Sequence, residues 1–224
     1  DSGPMTSTKS SSWTALELLV GLFSLPELRA WAVLLIGAAL VCFTGVVTAP
    51  SLPATFGLLG AGALLWTTLE YALHRWLLHM PVPRQPWLRR VHRRLHWQHH
   101  QDPSDLANLS VPLWGSLSLH LMAIGAGFLL GGPQGVLPTF LGFSITFGLY
   151  EWMHLAAHVP YRPRTPWGRA MKRRHAWHHF KNEGYWFGVT HPVLDRLLMT
   201  SPRPSGVPRS PTARDLSRST EEGA

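Results

Sequence analysis

The sequence has little cysteine and, over two long stretches, no charge. The single cysteine, Cys42, excludes an intrachain disulfide and a thiolate zinc site. No Asp, Glu, Lys or Arg occurs at positions 30–69 or 106–150. A membrane-spanning helix needs about 20 apolar residues, so each uncharged block can hold two spans. Soluble proteins rarely bury uncharged runs of this length, which disfavours the alternative of a soluble bundle of four buried helices.

Proline and glycine mark a turn inside each block, at Pro50–Pro53 and at Gly131–Gly135. We therefore predict spans at 30–49, 53–73, 111–131 and 136–156. Lys and Arg gather between the two blocks and after Glu151, and positive charge near span ends stays in the cytoplasm. The predicted fold class is an all-α membrane protein with four transmembrane helices in two hairpins and a cytosolic, histidine-rich helical cap. Both termini are expected in the cytosol.

Three regions follow from this pattern. Residues 1–29 form an N-terminal segment with an amphipathic interfacial helix at Trp13–Leu28, residues 30–200 form the integral-membrane domain, and residues 201–224 form a disordered tail rich in Ser, Pro and Arg. The net charge is +8, and the arginines alternate with tryptophans beside the spans. Such a pattern is typical of a surface that contacts anionic lipid headgroups or an acidic redox partner. We expect no nucleic-acid binding.

Histidine is the residue that is present in excess, because ten of the 13 histidines form two near-copies of one pattern. The first copy reads H-x4-H and then H-x2-H-H, at His74, His79, His96, His99 and His100. The second reads H-x3-H and then H-x2-H-H, at His154, His158, His175, His178 and His179. Imidazole is the commonest metal ligand, and ten imidazoles are too many for one ion. The count therefore predicts two metal ions with about five ligands each.

The spacing indicates how the ligands divide. Helical residues advance by about 100°, so histidines four apart share a face, whereas adjacent ones diverge and suit two neighbouring ions. We therefore expect each copy to contribute to both ions. His74 and His79 are five apart, and either bind different metals or lie where the helix unwinds.

The other histidines and the nearby carboxylates have secondary places in this prediction. His92 is expected to face solvent or headgroups, and His120 to form interhelical hydrogen bonds. Glu70 and Glu151 occupy matched positions in the two copies, where each either ends a span or accepts the free N–H of a ligating imidazole. His191 is expected to approach the site.

The histidine order resembles that of the membrane-bound fatty acid hydroxylase/sterol desaturase superfamily. The segment from His178 to Asn182, followed by Phe187–Thr190 and Asp195, is most similar to fatty acid 2-hydroxylases. The resemblance covers residues 55–200. It implies that the ten histidines hold two iron ions, with zinc possible in purified protein, and that Asp195 supports them. It also implies O2-dependent hydroxylation of a lipid acyl chain, with electrons relayed through a small redox protein.

Two other functions remain open at this point. Carotenoid or sterol hydroxylases and desaturases share much of the histidine pattern, although the segment after His178 favours an acyl substrate. A non-redox membrane zinc protein, such as a transporter, would carry polar ligands deep within its spans. We expect a separate electron donor, either a b-type cytochrome or a ferredoxin with its reductase. Richness in Ala, Gly, Leu and Arg suggests the inner membrane of a bacterium.

Overall fold

The computed structural model describes residues 12–24 and 50–213, with residues 29, 32, 33, 36 and 37 between them. This described part is helical and contains no strand, only an isolated bridge between Trp13 and Tyr161. Its helices are α1 (Ala15–Ser24), α2 (Leu52–Ala72), α3 (Pro86–His92), α4 (Gln98–Gln101), α5 (Leu113–His158), α6 (Pro166–Phe180) and α7 (Val193–Leu197). The predicted span 30–49 lies almost entirely outside the described residues.

Two helical segments are long and apolar enough to cross a membrane, within the described residues: Leu52–Leu78 and Leu106–His158. The predicted spans 53–73, 111–131 and 136–156 fall inside these segments. Many of their large apolar side chains lie on the surface, including Phe56 at 69% exposure and Leu129 at 86%. A soluble protein rarely leaves such continuous apolar surface open to water.

Helix α5 is interrupted at Gly131 and Gly132, the predicted turn. Gly132 has φ +58°, a conformation that favours glycine, and Pro133 follows it. The two parts of α5 then lie against each other, since a Cβ on Gly127 would come within 2.7 Å of the carbonyl oxygen of Gly135. The ring of His120 in the first part packs on that of Phe147 in the second part, with 5.2 Å between the ring centroids.

The second part of α5 packs closely on α2 through two glycines. A Cβ on Gly62 would lie 2.0 Å from the carbonyl oxygen of Thr139, and a Cβ on Gly142 would lie 2.0 Å from that of Leu59. One turn further along α2, the ring of Trp66 packs edge-to-face with Phe143, Phe147 and Tyr150 of α5. Small residues thus bring two backbones together, as is common between membrane helices.

Alanine at Gly62 should therefore destabilise the protein, whereas alanine at Gly60 should not. The added methyl group at position 62 must displace backbone, which costs about 1–3 kcal/mol for overpacking. Gly60 has open space around it on the same helix, and alanine there favours the helix by up to about 1 kcal/mol. Thermal unfolding in detergent should show a lower midpoint for Gly62→Ala alone. Equal midpoints would contradict the close packing.

The internal repeat of the sequence is visible at the start of two helices. Pro86 begins α3 and Pro166 begins α6. In the first copy the Arg89 side chain donates to the carbonyl oxygen of Pro83, and in the second copy Arg169 donates to that of Pro163. The two halves therefore form the same local structure.

The copies differ where the first contains two π-helices, Leu73–Leu78 and Arg93–Trp97. His74 and His154 are 80 residues apart, but His79 and His158 are 79 apart, so the first copy has one additional residue in this interval. The same change, from 80 to 79, recurs between Pro83 and His96 and their counterparts. Each additional residue falls in a π-turn, which accommodates an insertion without ending the helix.

Helix α1 is shorter than the predicted Trp13–Leu28, and residues 25–28 lie outside the described part. Leu18 and Leu22 join the buried cluster that includes Trp66 and Leu155. The backbone N–H of Trp13 donates to the carbonyl oxygen of Pro160. Helix α1 is thereby held against the end of α5.

Candidate metal centre

All ten histidines of the repeated pattern come together in two groups of five. The first group is His74, His79, His96, His100 and His178, and the second group is His99, His154, His158, His175 and His179. Within each group the candidate ligand atoms lie within 4.8 Å of one another. Spacing in the sequence therefore predicted the set of residues that the fold brings together.

Each group takes four histidines from one copy of the pattern and one from the other. The exchanged residues are the middle histidines of the H-x2-H-H segments, His99 and His178. The prediction that adjacent histidines diverge toward different centres is confirmed, because His99 and His100 lie in different groups. His96 and His100, four apart, share a group, as expected for one helix face.

The π-helix explains why His74 and His79 lie in one group although they are five apart. The backbone N–H of His79 donates to the carbonyl oxygen of His74, at 3.2 Å, which is the i+5 bond of a π-turn. An ordinary α-helix would direct the two rings about 140° apart. Of the two alternatives left open by the sequence, the local change in helix winding is the one observed.

The imidazole nitrogens are spaced as ligands of a cation would be. In the first group, Nε2 of His96 lies 3.2 Å from Nε2 of His74 and 2.9 Å from Nε2 of His79. In the second group, Nε2 of His175 lies 2.8 Å from Nε2 of His158 and 3.0 Å from Nε2 of His179. Metal–nitrogen bonds of about 2.0–2.1 Å at right angles place neighbouring nitrogens about 2.9 Å apart.

Three backbone carbonyls determine the tautomers in the first group. The Nδ1–H groups of His74, His178 and His100 donate to the carbonyl oxygens of Phe187, Tyr185 and Ala213, respectively. In the neutral ring, Nε2 then carries a lone pair, and these lone pairs face other imidazoles. Such an arrangement repels unless a cation lies between the nitrogens, so the donor set fits a metal site.

Burial keeps these rings neutral. It lowers the pKa of His100 to about 3, with smaller contributions from other groups, chiefly the carbonyl of Ala213, which opposes the shift. Burial, followed by the neighbouring imidazoles, holds the pKa values of His79, His99 and His175 well below their usual range. Unprotonated nitrogens are the form that binds metals.

The loop at 185–190 supplies two of the three carbonyls and is held in a strained turn. Trp186 has φ +58°, is completely buried, and lies between the two residues whose carbonyls accept from His178 and His74. Its N–H donates to the carbonyl oxygen of Thr200. A left-handed conformation at a non-glycine residue persists only where surrounding contacts enforce it.

Two buried carboxylates enforce that turn. Glu70 accepts hydrogen bonds from the N–H of Val189 and from the N–H and hydroxyl of Thr190. Asp195 accepts from the N–H groups of Phe187 and Gly188 and forms an ion pair with Arg174 at 3.1 Å. Neither alternative left open for Glu70 is observed, because it is buried and its oxygens accept from the loop that carries the carbonyls.

The remaining predicted residues join neither group. Glu151 accepts from the N–H of Val111. His191 Nδ1 accepts from the N–H of Val193. His120 donates from Nδ1 to the carbonyl of Ser116 within α5 and packs on aromatic rings of the second part of that helix. The prediction for His92 is wrong: it is buried, and its Nε2 donates to the carbonyl of Leu78 at the end of a π-helix.

The predicted disordered tail also needs correction. Its residues 201–213 are packed against the rest of the histidine cap, as we call residues 73–108 and 154–213. The N–H of Ser210 donates to the carbonyl of Lys181, and the hydroxyls of Ser210 and Thr212 both donate to Glu183. This path brings the carbonyl of Ala213 to His100. Composition suggested disorder, but a segment rich in Ser and Pro can also be fixed by side-chain hydrogen bonds. Residues 214–224 lie outside the described part.

An apolar cavity of about 230 Å³ lies beside the histidines. His74, His96 and His154 line it, with Glu70 beside them. The rest of its wall is mostly apolar and comes from α2, α5 and the segments between them: Trp66, Leu73, Leu77, Leu78, Leu95, Leu109, Val111, Trp114, Gly115, Ser118, Leu119 and Tyr150. The cavity therefore lies between the two long helices and is lined by histidines of both groups.

Comparison with known proteins agrees with this site. Residues 59–200 match the family model described as fatty acid hydroxylase. The chain belongs to the fatty acid hydroxylase family. The resemblance stated from the histidine order is thereby confirmed, and the matched range includes all ten histidines.

Relatives of this family member include 2-hydroxylases from plants and animals. It is 33% identical to dihydroceramide fatty acyl 2-hydroxylase FAH2 of Arabidopsis thaliana, over 77% of this chain and 73% of that protein. It is 30% identical to fatty acid 2-hydroxylase of Homo sapiens, over 64% of this chain but only 39% of that protein. A solved structure of full-length Scs7p, with only the hydroxylase domain visible, has a TM-score of 0.69 at 28% identity and covers 82% of this chain and 68% of that one.

Proposed function

We propose that this protein hydroxylates the acyl chain of a membrane lipid, at the carbon next to the carboxyl or amide carbonyl. The observation that carries the proposal is the pair of five-imidazole groups beside an apolar cavity that histidines of both groups line. The named activities of the relatives agree with it. One atom of O2 would enter the C–H bond as a hydroxyl group and the other would leave as water, with two electrons and two protons supplied by an external donor and solvent.

Iron is the metal that we propose for both groups. Imidazole donors suit iron and zinc alike, but zinc has no redox chemistry. Two bound iron ions would supply the capacity to activate O2, which no side chain provides unaided. All ten histidines are proposed as ligands, and Asp195 and Glu70 as residues that position them through the loop at 185–190.

The chain's own residues bind and orient the substrate. The apolar wall between α2 and α5 accommodates an acyl chain and excludes water, with Trp66 and Trp114 as its largest side chains. His74, His96 and His154 stand where the reactive carbon would lie. Because histidines of both groups line the cavity, the carbonyl end of a lipid would have to reach them for the neighbouring carbon to react.

The long apolar segments are proposed to place the protein in a membrane with four spans in two hairpins. Charge distribution supports an orientation with the histidine cap and both termini in the cytosol, and composition supports a bacterial inner membrane. The arginines of the cap offer a surface to an acidic electron donor, either a b-type cytochrome or a ferredoxin.

Expression in a host that lacks hydroxylated lipids tests the function. The host should receive iron and a compatible electron donor, and lipid mass spectrometry should detect acyl chains that carry one additional oxygen next to the carbonyl. A His178→Ala chain produced at the same level should give none. Oxidised carotenoid or sterol without hydroxylated acyl chains would overturn the acyl assignment, as would the absence of any oxidised lipid with every donor.

Loosening the segment at 207–213 should weaken metal binding in the first group alone. Glu183→Ala removes the acceptor of the Ser210 and Thr212 hydroxyls, and thus releases the carbonyl of Ala213 from His100. Mutation of a residue that hydrogen-bonds to a metal ligand lowers metal affinity by about 10–100-fold. Glu183 acts on His100 only through the segment that carries Ala213, so its effect should lie near the lower end of that range. Chelator competition should show one of two bound ions leaving more readily. Glu183→Gln keeps an oxygen acceptor and should behave more like the unaltered chain, whereas equal loss of both ions would contradict the assignment.

A further inference from the structure

Four apolar side chains are exposed on and just after α7, in the histidine cap. Val193, Leu197, Leu198 and Met199 are 52%, 70%, 41% and 87% exposed. We call them the α7 patch. They lie outside both long apolar segments, and contiguous apolar surface of this kind marks an interaction site.

The α7 patch lies at the level where α2 leaves the proposed membrane. The hydroxyl groups of Thr200 and Tyr71 are 2.8 Å apart, which fixes the end of the patch to α2. A span of about 20 residues that begins at Leu52 ends close to Tyr71. Trp76, five residues further along the same helical segment, is 60% exposed, and its ring contacts that of Tyr71. The end of the patch is therefore fixed beside the part of α2 where the proposed span ends.

The exposed side chains of the patch are held in place by their backbone. Met199 has φ +58°, which a non-glycine residue adopts only under constraint. Its neighbours provide that constraint: the N–H of Thr200 donates to the carbonyl of Asp195 at 2.7 Å, and Asp195 is completely buried. The most exposed apolar side chain of the patch is thus presented outward by a fixed turn.

We propose that the α7 patch inserts into the boundary between headgroups and hydrocarbon of the same membrane, with anionic phospholipid as its partner. Arg196 lies within the patch and Arg203 follows it, both exposed, as cations that meet anionic headgroups. The proposal rests on the membrane placement of the proposed function. Apolar side chains flanked by arginine are the composition of interfacial segments.

Insertion of the patch would also position a metal ligand. Asp195 of α7 accepts from the N–H of Phe187, whose carbonyl accepts from His74. The same helix therefore contacts lipid on one side and carries the loop of the first group on the other. Depth in the membrane and the orientation of His74 are linked through one buried carboxylate.

Spin-label accessibility in vesicles tests the depth of the patch. Single cysteines at Met199 and, in a second variant, Leu197 should be made in full-length Cys42→Ser protein, with reference labels at Phe56 on α2 and Ser205 on the cap. Vesicles of phosphatidylcholine with about a quarter phosphatidylglycerol supply the anionic lipid. Labels at 197 and 199 should collide with O2 more than with a water-soluble nickel chelate, as at 56, and the label at 205 should show the reverse.

Lipid charge provides the second arm of the test. In pure phosphatidylcholine the labels at 197 and 199 should become more accessible to nickel, while the label at 56 should not change. If the labels at both patch positions were as accessible to the nickel chelate as the label at 205, the proposal would be overturned. A protein would then be the remaining partner for the patch. These readings need no metal, substrate or turnover, so failure to hydroxylate lipid in a chain with buried labels would count against the function and not against the patch.

Discussion

Alanine at His99 is expected to remove hydroxylation and the metal of the second group together. His99 is the one histidine that the first copy gives to that group, and its Nε2 lies 3.0 Å from Nε2 of His154. Removal leaves four donors, all from the second copy, and opens a buried gap among the remaining rings. Removal of a residue that hydrogen-bonds to a metal ligand lowers metal affinity or activity by about 10–100-fold. Loss of the ligand itself should therefore reduce turnover by at least about 100-fold.

The exchanged partner His178 provides the matched experiment. His178→Ala should reduce turnover equally but release the metal of the first group, so metal analysis of either protein should give one ion where the unaltered chain gives two. Spectra of the remaining iron should differ between the two variants because different histidines surround it. His191→Asn, outside both groups, should keep both ions and the activity. Identical spectra, or full metal content in His99→Ala, would contradict the exchange.

Alanine at Asp195 is expected to destabilise the whole cap. Asp195 is completely buried and accepts from Phe187, Gly188 and Thr200 while it pairs with Arg174, whose side chain is 12% exposed. Breaking a buried ion pair by removing one partner costs about 3–5 kcal/mol, since the other charge stays buried. The loop at 185–190 also loses two of its anchors, so metal should leave the first group more readily.

Thermal unfolding in detergent and metal content measure these two effects. Asp195→Asn keeps an acceptor for the loop but not the charge, and should fall between alanine and the unaltered chain. The double variant Asp195→Ala with Arg174→Ala should cost less than the sum of the single variants, because no unpaired charge remains. Strict additivity would show that the ion pair contributes nothing beyond its two separate side chains.

The set of clustered histidines and the divergence of adjacent ones could be predicted because both depend on local spacing. Helix geometry alone separates His99 from His100, and this separation survives in the folded chain. His74 and His79 could not be assigned, since a π-turn and an ordinary helical turn produce the same sequence pattern. The additional residue between His74 and His79 is visible in the sequence, but only the structure shows that a π-turn accommodates it.

The surroundings of the ligands could not be read from the sequence because they are formed by the backbone. The acceptors for His74 and His100 are the carbonyls of Phe187 and Ala213, each 113 residues away along the chain. Every residue type has a carbonyl, so no composition signals this role. The matched position of Glu70 in the two copies indicated a role beside the ligands. Its hydrogen-bond partners, however, depend on a turn at Trp186 that no sequence pattern predicts.

The exchange of His99 and His178 has a consequence for biosynthesis. When the ribosome has made the first copy, its group is one donor short, and that donor follows 78 residues later. At about 5–20 residues per second, the nascent chain waits roughly 4–16 seconds for it. Each group is complete only after both copies have been made, and a metal ion bound there would hold together segments of the chain that are synthesised seconds apart.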